Sequence, residues 1–182
     1  MTDKQVLKKE LRKKILQKRA ELTEQQVFAY SEAICRKILE NPIYQQSNNL
    51  CLYMPIRNEV DVTLLVNPAR ESGKCVWLPK IIDGQMDFYL YGADTVLSES
   101  AYHIPEPLSE HRLIPDSSTL VIMPGAVFSV THDRIGYGGG YYDRYLSKYP
   151  TCKTLAVCYD FQVVPELPGE EHDIKPDHII YN

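Results

Sequence analysis

The chain has 182 residues, 44% hydrophobic and 24% charged, which is typical of a single globular domain spanning residues 1–182. No apolar run approaches the roughly 20 residues of a membrane-spanning helix, and the basic N-terminus lacks the apolar segment of a secretory signal, so we expect a cytoplasmic protein. The net charge is −4. The five cysteines include no Cys-x-x-Cys pair, so the sequence predicts neither a disulfide framework nor a zinc site.

The first predicted element is a basic helix at the N-terminus. Leu7, Leu11 and Ile15 recur at helical spacing, and Lys8 and Arg12, also four residues apart, share a neighbouring face. Such a helix on an otherwise acidic chain could contact nucleic acid, a membrane surface or a small polyanion. A solvated helix face is the commonest reason for a charge run, so the pattern alone leaves these possibilities open.

Helices and short apolar strands then alternate along the chain. A capping box at Thr23–Gln26 opens a second helix, which ends at Asn41-Pro42. The later predicted elements are a strand over 49–54, a helix between Asp61 and Gly73, strands over 74–78, 86–91 and 119–123, a helix to about Lys148, and strands over 154–158 and 179–181. Residues 92–117 contain three prolines and are expected to be irregular.

This alternation predicts an α/β fold, a three-layer sandwich in which helices cover both faces of a central, mostly parallel sheet. Ligands in such folds bind beyond the carboxyl ends of the strands. The segments that follow three of the buried strands are 55–60, 124–143 and 159–173. We therefore expect these segments to converge on one cleft.

The most informative segment is Arg134–Arg144, which reads Arg-Ile-Gly-Tyr-Gly-Gly-Gly-Tyr-Tyr-Asp-Arg. Glycine lets backbone N–H groups approach a ligand closely, and the start of a following helix favours an anion. Arg134 adds a charge that can bind phosphate oxygens through two N–H groups. A carboxylate such as Asp143 is repelled by phosphate unless a cation lies between them, and Mg²⁺ is the usual one. The segment therefore predicts a phosphate-binding loop with a magnesium ligand.

Neither common phosphate-loop template fits this segment. No Gly-Lys-Ser/Thr sequence occurs, which excludes a P-loop. Counting from Gly136, the sixth position is Tyr141 rather than glycine, which excludes the dinucleotide-binding fingerprint. For the glycines alone, a tight turn that caps a surface helix is the simpler interpretation. The adjacent Arg134, the paired tyrosines and Asp143 favour a ligand site.

The Gly-rich segment closely resembles that of the 5-formyltetrahydrofolate cyclo-ligase family, also called methenyltetrahydrofolate synthetases. Further likenesses follow in the same order over nearly the whole chain: Lys8-x-x-x-Arg12, Met54–Glu59, Leu78–Ile81, Ile104–Pro107, Met123–Gly125 and His172-Asp173. The resemblance implies a ligase that uses ATP and Mg²⁺ to convert 5-formyltetrahydrofolate to 5,10-methenyltetrahydrofolate, releasing ADP and phosphate. It also implies that the formyl oxygen is phosphorylated before N10 closes the ring.

The resemblance implies roles for individual residues. The catalytic residues would be Arg134 and Tyr141, and the metal ligands would be Asp143 and Asp173. The folate substrate would contact Met54, Glu59, Tyr137 and Tyr141. The nucleotide would contact Lys8, Arg12, Arg134, Ile135, Gly136, Tyr137, Gly138, Gly139, Gly140, Tyr141 and Tyr142. The expected partner is the small-molecule folate alone, without nucleic acid or membrane, and the expected state is a monomer.

Some of these residues also fit a purely structural role. Taken alone, Glu59 could simply precede a helix cap at Asp61, and Asp173 could be a turn residue. The loop also departs from the family pattern, since Ser129 stands where Asp is common and Tyr137 where some relatives have a basic residue. Two further functions stay open: an ATP- or phosphate-using enzyme that acts on a different amide, and a non-catalytic nucleotide- or RNA-binding module that uses the basic helix.

Overall fold

The structure is a computed structural model that describes residues 3–100, 103–168 and 173–182. Its helices are α1 (Asp3–Ala20), α2 (Glu24–Leu39), α3 (Pro42–Gln46), α4 (Val66–Glu71) and α5 (Tyr141–Lys148), with 3₁₀ turns over Val62–Leu65 and Asp160–Gln162. Its strands are β1 (Asn49–Cys51), β2 (Cys75–Ile82), β3 (Gln85–Leu90), β4 (Leu97–Glu99), β5 (Pro105–Pro107), β6 (Thr119–Met123), β7 (Val127–Ser129), β8 (Arg134–Ile135), β9 (Lys153–Cys158), β10 (Val163–Val164) and β11 (His178–Tyr181).

The central sheet has the strand order β11-β9-β6-β1-β2-β3 within the described part of the chain. Neighbouring strands are parallel except β2 and β3, which form an antiparallel hairpin through the turn at Asp83-Gly84. β6 lies in the interior of the sheet and is buried along its whole length, which explains its continuous apolar sequence. The predicted α/β fold with a mostly parallel sheet is confirmed.

Separate apolar layers cover the two faces of this sheet. On one face, Ile34 of α2 and Leu65 of the first 3₁₀ turn pack with Leu50 of β1, and all three are fully buried. On the other face, Tyr145 and Leu146 of α5 pack into a second buried cluster. In a layered fold of this kind, the loops that follow the carboxyl ends of the parallel strands are the usual place for a ligand site.

Two segments that contain proline differ from the prediction, and the strand predicted over 49–54 ends at Cys51. Residues 92–117, expected to be irregular, contain the antiparallel pair β4–β5, in which Pro105 and Pro107 take part. Prolines fit there because a two-stranded sheet has outer edges that need no N–H donor. β2 also continues through Pro79, where the strand was expected to end. Its pairing with β1 stops at Trp77, so Pro79 needs no donor on that side.

A smaller sheet, with the order β10-β7-β8, begins directly after the end of β6. Helix α1 covers it, and Ile15 of α1 packs against Ala126, Val127 and Ile135 in a third buried cluster. This packing fixes the basic helix beside the Gly-rich loop that follows β8.

None of the helices in the described ranges is both long and apolar enough to cross a membrane.

The turn between β6 and β7 requires glycine at position 125. A Cβ built on Gly125 would lie 2.4 Å from Cζ of Phe128, whose ring is fully buried. Gly125→Ala should lower the free energy of unfolding by about 1–3 kcal/mol, because a packed ring or the backbone must shift. Gly92→Ala is the control, since its Cβ would meet Thr95 Oγ1 at an ordinary 3.6 Å. Urea unfolding compares them, and equal stabilities would contradict the packing argument.

Candidate active site

The Gly-rich loop joins β8 to α5 and turns twice through left-handed backbone. Gly138 and Gly140 have φ angles of 99° and 63°, which residues with side chains rarely adopt. Gly140 is also the N-cap of α5, and no side chain caps that end of the helix. Among the described residues, the amides of 136–140 donate no backbone hydrogen bond to a carbonyl. The loop therefore presents N–H donors at the positive end of a helix, an arrangement that suits an anion.

One face of α1 runs along this loop. Lys8, Arg12 and Arg19 lie on one stripe of the helix because they are separated by four and seven residues. Arg12 Nε donates to the carbonyl oxygen of Gly136 at 2.8 Å. Lys8 Nζ lies 2.8 Å from Asp173 Oδ2, and both side chains are mostly buried. These cations of the basic run therefore contact the protein rather than forming a purely solvated face.

Arg134 binds Asp143 across the base of the loop. Nη2 of Arg134 donates to both carboxylate oxygens, at 2.8 and 2.9 Å, and Arg134 is only 8% exposed. The N–H of Ile174 donates to Oδ1 of the same carboxylate at 3.2 Å. The segment that carries Asp173 therefore meets the segment that carries Asp143, although 30 positions separate them in the sequence. Each carboxylate has a cation beside it, Arg134 at Asp143 and Lys8 at Asp173.

This arrangement fits a Mg²⁺ ion that takes most of its ligands from outside the protein. Across the described ranges, no group of three or more His, Cys, Asp or Glu side chains is placed to hold a metal ion. Mg²⁺ is commonly bound by one or two carboxylates and completes its shell with water and phosphate oxygens. Asp143 and Asp173 supply oxygen donors of that kind, so the donor set suits Mg²⁺ together with a phosphorylated ligand.

Glu59 lies where the segment after β1 meets the Gly-rich loop. Arg57 and Asn58 have φ angles of 50° and 58°, so the chain turns sharply just before Glu59. The N–H of Ile56 donates to Oε2 at 2.9 Å, and the hydroxyl of Tyr137 donates to Oε1 through a short hydrogen bond. Two residues predicted to contact folate, from distant parts of the sequence, are therefore in direct contact.

Burial dominates the electrostatics of Glu59, which is only 6% exposed. Burial raises the pKa of its carboxyl, and this effect outweighs the hydrogen bonds from Tyr137 and Ile56 and the charges of Arg19 and Arg57, which lower it. Burial and the Glu59 carboxylate also raise the pKa of Tyr137, so its hydroxyl stays a donor. Because a carboxylate has about four acceptor positions, Glu59 can still accept from ligand N–H groups.

Arg19 is a site residue that the sequence pattern did not predict. It is 1% exposed, although it belongs to the basic run of α1. Its Nη1 donates to the Tyr137 hydroxyl at 2.6 Å and lies 3.9 Å from Glu59 Oε1. Its Nε donates to the carbonyl oxygen of Arg57 at 3.0 Å. The available signal was the seven-residue interval from Arg12, which is about two helical turns and puts both side chains on one face.

The remaining predicted contacts lie at the buried clusters or beside Arg134. Met54, three residues after the end of β1, is partly buried against the main core. The side chain of Ile135 is 3% exposed and packs under α1, so only its backbone could reach a ligand. Tyr141 is partly buried against the cluster on the α5 side of the sheet. The ring of Tyr142 lies 6.0 Å from the guanidinium carbon of Arg134.

The turn over residues 129–133, which precedes β8 and the Gly-rich loop, is held together by hydrogen bonds between its own side chains. Ser129 is fully buried, and the hydroxyls of Ser129 and Thr131 donate to Asp133 Oδ2 at 3.0 and 2.8 Å. Lys175 Nζ adds an ion pair with Asp133 Oδ1 at 2.8 Å. Ser129 therefore supports the turn that leads into β8. His172, which was grouped with the C-terminal metal ligand, lies outside the described residues.

Comparison with known proteins assigns the family. The sequence model of the 5-formyltetrahydrofolate cyclo-ligase family matches residues 4–182. The chain belongs to the 5-formyltetrahydrofolate cyclo-ligase family. The prediction of an enzyme of this ligase class is therefore confirmed.

Relatives within the cyclo-ligase family align over most of this chain. A probable 5-formyltetrahydrofolate cyclo-ligase from Schizosaccharomyces pombe is 32% identical over 172 residues, covering 85% of this chain and 84% of the relative. The 5-formyltetrahydrofolate cyclo-ligase of Escherichia coli is 30% identical over 167 residues, covering 88% and 92%. The NMR structure of Aquifex aeolicus 5,10-methenyltetrahydrofolate synthetase matches with a TM-score of 0.86 at 34% identity, covering 96% of this chain and 89% of that one.

Proposed function

We propose that this chain uses ATP and Mg²⁺ to convert 5-formyltetrahydrofolate to 5,10-methenyltetrahydrofolate, with release of ADP and phosphate, through a phosphorylated formyl group. The observation that carries the proposal is the loop over 136–140, whose amides donate no backbone hydrogen bond within the described chain. Arg12 and Arg134 flank this loop, and Asp143 lies at its end. Family membership supplies the folate substrate, and this loop supplies the reason for a phosphate donor.

The reaction needs a phosphate donor because a formamide oxygen is a poor leaving group. Transfer of the γ-phosphoryl group to the formyl oxygen of 5-formyltetrahydrofolate would give an iminium phosphate. N10 then attacks the formyl carbon, forms the new C–N bond and loses its proton, and the C–O bond breaks with phosphate as the leaving group. The formyl oxygen therefore ends in the released phosphate. The task of the protein is to align the two substrates and stabilise the charge on the transferring group.

The nucleotide end of the site would lie along α1 and the Gly-rich loop. The loop amides and Arg134 would stabilise charge on the transferring phosphoryl group. Arg12 commits one of its five N–H donors to Gly136, which leaves the others for phosphate oxygens. Asp143 and Asp173 would hold Mg²⁺, and the ion would supply positive charge that offsets the charge of the phosphates.

The folate end of the site would centre on Glu59. A pterin ring presents N–H donors along one edge, and the Glu59 carboxylate keeps acceptor positions beside the two hydrogen bonds it already accepts. Met54 and Tyr141 would contact the apolar faces of the ring, since an aromatic or thioether side chain suits such a surface. Tyr137 contacts Glu59 and belongs to the nucleotide loop, so it would join the two ends of the site.

A nucleic-acid-binding module is the weaker alternative. Such a module needs the cations of α1 to neutralise phosphates along a strand, and its affinity falls steeply with salt. Lys8, Arg12 and Arg19 instead contact groups of this chain. A module of this kind would also tolerate Asp143→Ala.

An enzyme that acts on a different amide would keep ATP turnover but form no methenyl product.

The test supplies purified protein with 5-formyltetrahydrofolate, ATP and MgCl₂ and follows the ultraviolet absorbance of the methenyl product. We expect product formation that requires both ATP and Mg²⁺ and is matched mole for mole by ADP. Folded protein that gives no methenyl signal under these conditions would overturn the proposal. ADP release without a methenyl product would favour the enzyme that acts on another amide.

A further inference from the structure

The guanidinium of Arg19 is buried more deeply than the side chains of Lys8 and Arg134, two of the cations expected to bind phosphate. Its side chain is 2% exposed, whereas that of Lys8 is 13% exposed and that of Arg134 is 5% exposed. Nε and Nη1 have partners, the Arg57 carbonyl and the Tyr137 hydroxyl. Nη2 is also buried, and within the described residues it has no hydrogen-bond partner. A buried charged donor without an acceptor is costly, so an acceptor from a ligand would be stabilising there.

The neighbours of Arg19 indicate which ligand this is. Nη1 of Arg19 lies 3.9 Å from Glu59 Oε1, so the guanidinium donor and the carboxylate acceptor stand side by side. Tyr137 links them, since its hydroxyl accepts from Arg19 and donates to Glu59. The buried side chains of Arg19 and Glu59 therefore present a hydrogen-bond donor and a hydrogen-bond acceptor next to each other. A ligand that binds both must carry, along one edge, donors for Glu59 next to an acceptor for Arg19.

A 2-amino-4-oxopteridine has such an edge. Its 2-amino group and its N3–H are donors, and the adjacent oxygen at C4 is an acceptor. If the Glu59 carboxylate accepts from the 2-amino group and N3–H, the C4 oxygen lies next to that carboxylate. Arg19 can then donate to this oxygen with its remaining N–H groups. The same ring with an amino group at C4 would place a donor against the guanidinium, and its N3 carries no hydrogen, so it would also lose one donor to Glu59. Buried donors that lose their acceptor discriminate strongly between such ligands.

Resting on the function proposed above, we propose that Arg19 determines specificity for the 4-oxo edge of the pterin, by donating from Nη2 to the C4 oxygen while holding Glu59 and Tyr137 in place. The residue therefore acts at the folate end of α1, as Lys8 and Arg12 act at the nucleotide end. One helix would in this way carry contacts to both substrates.

The test measures equilibrium binding of folic acid and of its 4-amino analogue aminopterin by titration calorimetry, which requires no turnover. We expect the wild-type protein to bind folic acid about 10- to 100-fold more tightly, the range of one hydrogen bond to a charged group. In Arg19→Gln the ratio should fall by about threefold or more, and the preference that remains is due to the N3–H donor to Glu59 that aminopterin lacks. In turnover, Arg19→Gln should raise the KM for 5-formyltetrahydrofolate by about 10- to 100-fold and leave the KM for ATP within about twofold.

Two further variants keep the test decisive. Arg36→Gln is the matched control, since the Arg36 side chain is 67% exposed and pairs with Glu32 on the surface of α2, and it should leave the ratio unchanged. If Arg19→Gln does not fold, Arg19→Lys replaces it, because lysine keeps a cation at this position. Arg19→Lys should give a ratio of folic acid to aminopterin affinity between that of the wild type and that expected for Arg19→Gln. Loss of affinity for both ligands in equal proportion, or a wild-type protein that does not discriminate, would overturn the assignment. Wild-type methenyl formation in either case would leave the proposed reaction standing.

Discussion

Asp143→Asn should reduce Mg²⁺-dependent methenyl formation by about 100- to 1,000-fold, the range for removal of a charge contact in a transition state. The substitution keeps the size of the side chain but removes the charge that would hold Mg²⁺ and that now binds Arg134. The concentration of Mg²⁺ that gives half-maximal rate should also rise. Absorbance assays over a range of MgCl₂ concentrations measure both effects.

Asp87→Asn is the matched control for this prediction. Asp87 also pairs with an arginine, Arg112 at 3.3 Å, but it lies on β3 at the far edge of the central sheet. This variant should keep the wild-type rate and Mg²⁺ dependence. Turnover of Asp143→Asn within about threefold of the control would remove Asp143 from the metal site and favour a structural role for its contact with Arg134.

Glu59→Gln should raise the KM for 5-formyltetrahydrofolate by about 10- to 100-fold, because a neutral amide replaces the carboxylate that would accept from the pterin. The KM for ATP should stay within about threefold, since the nucleotide groups lie on Arg12, Arg134 and the loop. Steady-state kinetics with each substrate varied in turn separates the two constants. Equal losses for both substrates would indicate that Glu59 is only structural.

The pH dependence of the folate KM gives a second readout for Glu59. Burial raises the pKa of this carboxyl, so Glu59 takes up a proton at a higher pH than an exposed glutamate does. Protonation removes the charged acceptor, so the wild-type KM for folate should rise as the pH falls towards that raised pKa. In Glu59→Gln this rise should be absent. Glu32→Gln, at an exposed position of α2, should keep the wild-type profile.

The sequence predicted the fold well wherever one local signal decided the structure. The capping box of Thr23 and Gln26 opens α2 as expected, because both reciprocal hydrogen bonds lie within four residues. The apolar run over 119–123 forms a buried interior strand for a similar reason. The β4–β5 pair was missed because Pro105 and Pro107 argue against a strand. Only the position of that pair, at an edge that needs no N–H donor, makes them compatible with one.

The site was harder to predict than the fold because its contacts join distant segments. The Gly-rich loop was predicted as a ligand site because Arg134, paired tyrosines and Asp143 adjoin the glycines, which alone would indicate only a tight turn. Topology predicted that the segments of Asp143 and Asp173 converge, but not the particular contact between the Ile174 N–H and the Asp143 carboxylate, which depends on how β9 and β11 pair. The sequence pattern marks Arg19 only as one more charge of the basic N-terminal run. Its burial follows from the packing of α1 on the smaller sheet, and that packing was not foreseen.

The measurement that tests the central claim most directly traces the formyl oxygen. 5-Formyltetrahydrofolate labelled with ¹⁸O in the formyl group is converted in unlabelled water with ATP and Mg²⁺, and the released phosphate is analysed by mass spectrometry. Phosphoryl transfer to the formyl oxygen predicts one ¹⁸O atom in each phosphate formed. Methenyl product accompanied by unlabelled phosphate, from substrate that has kept its label, would contradict the account.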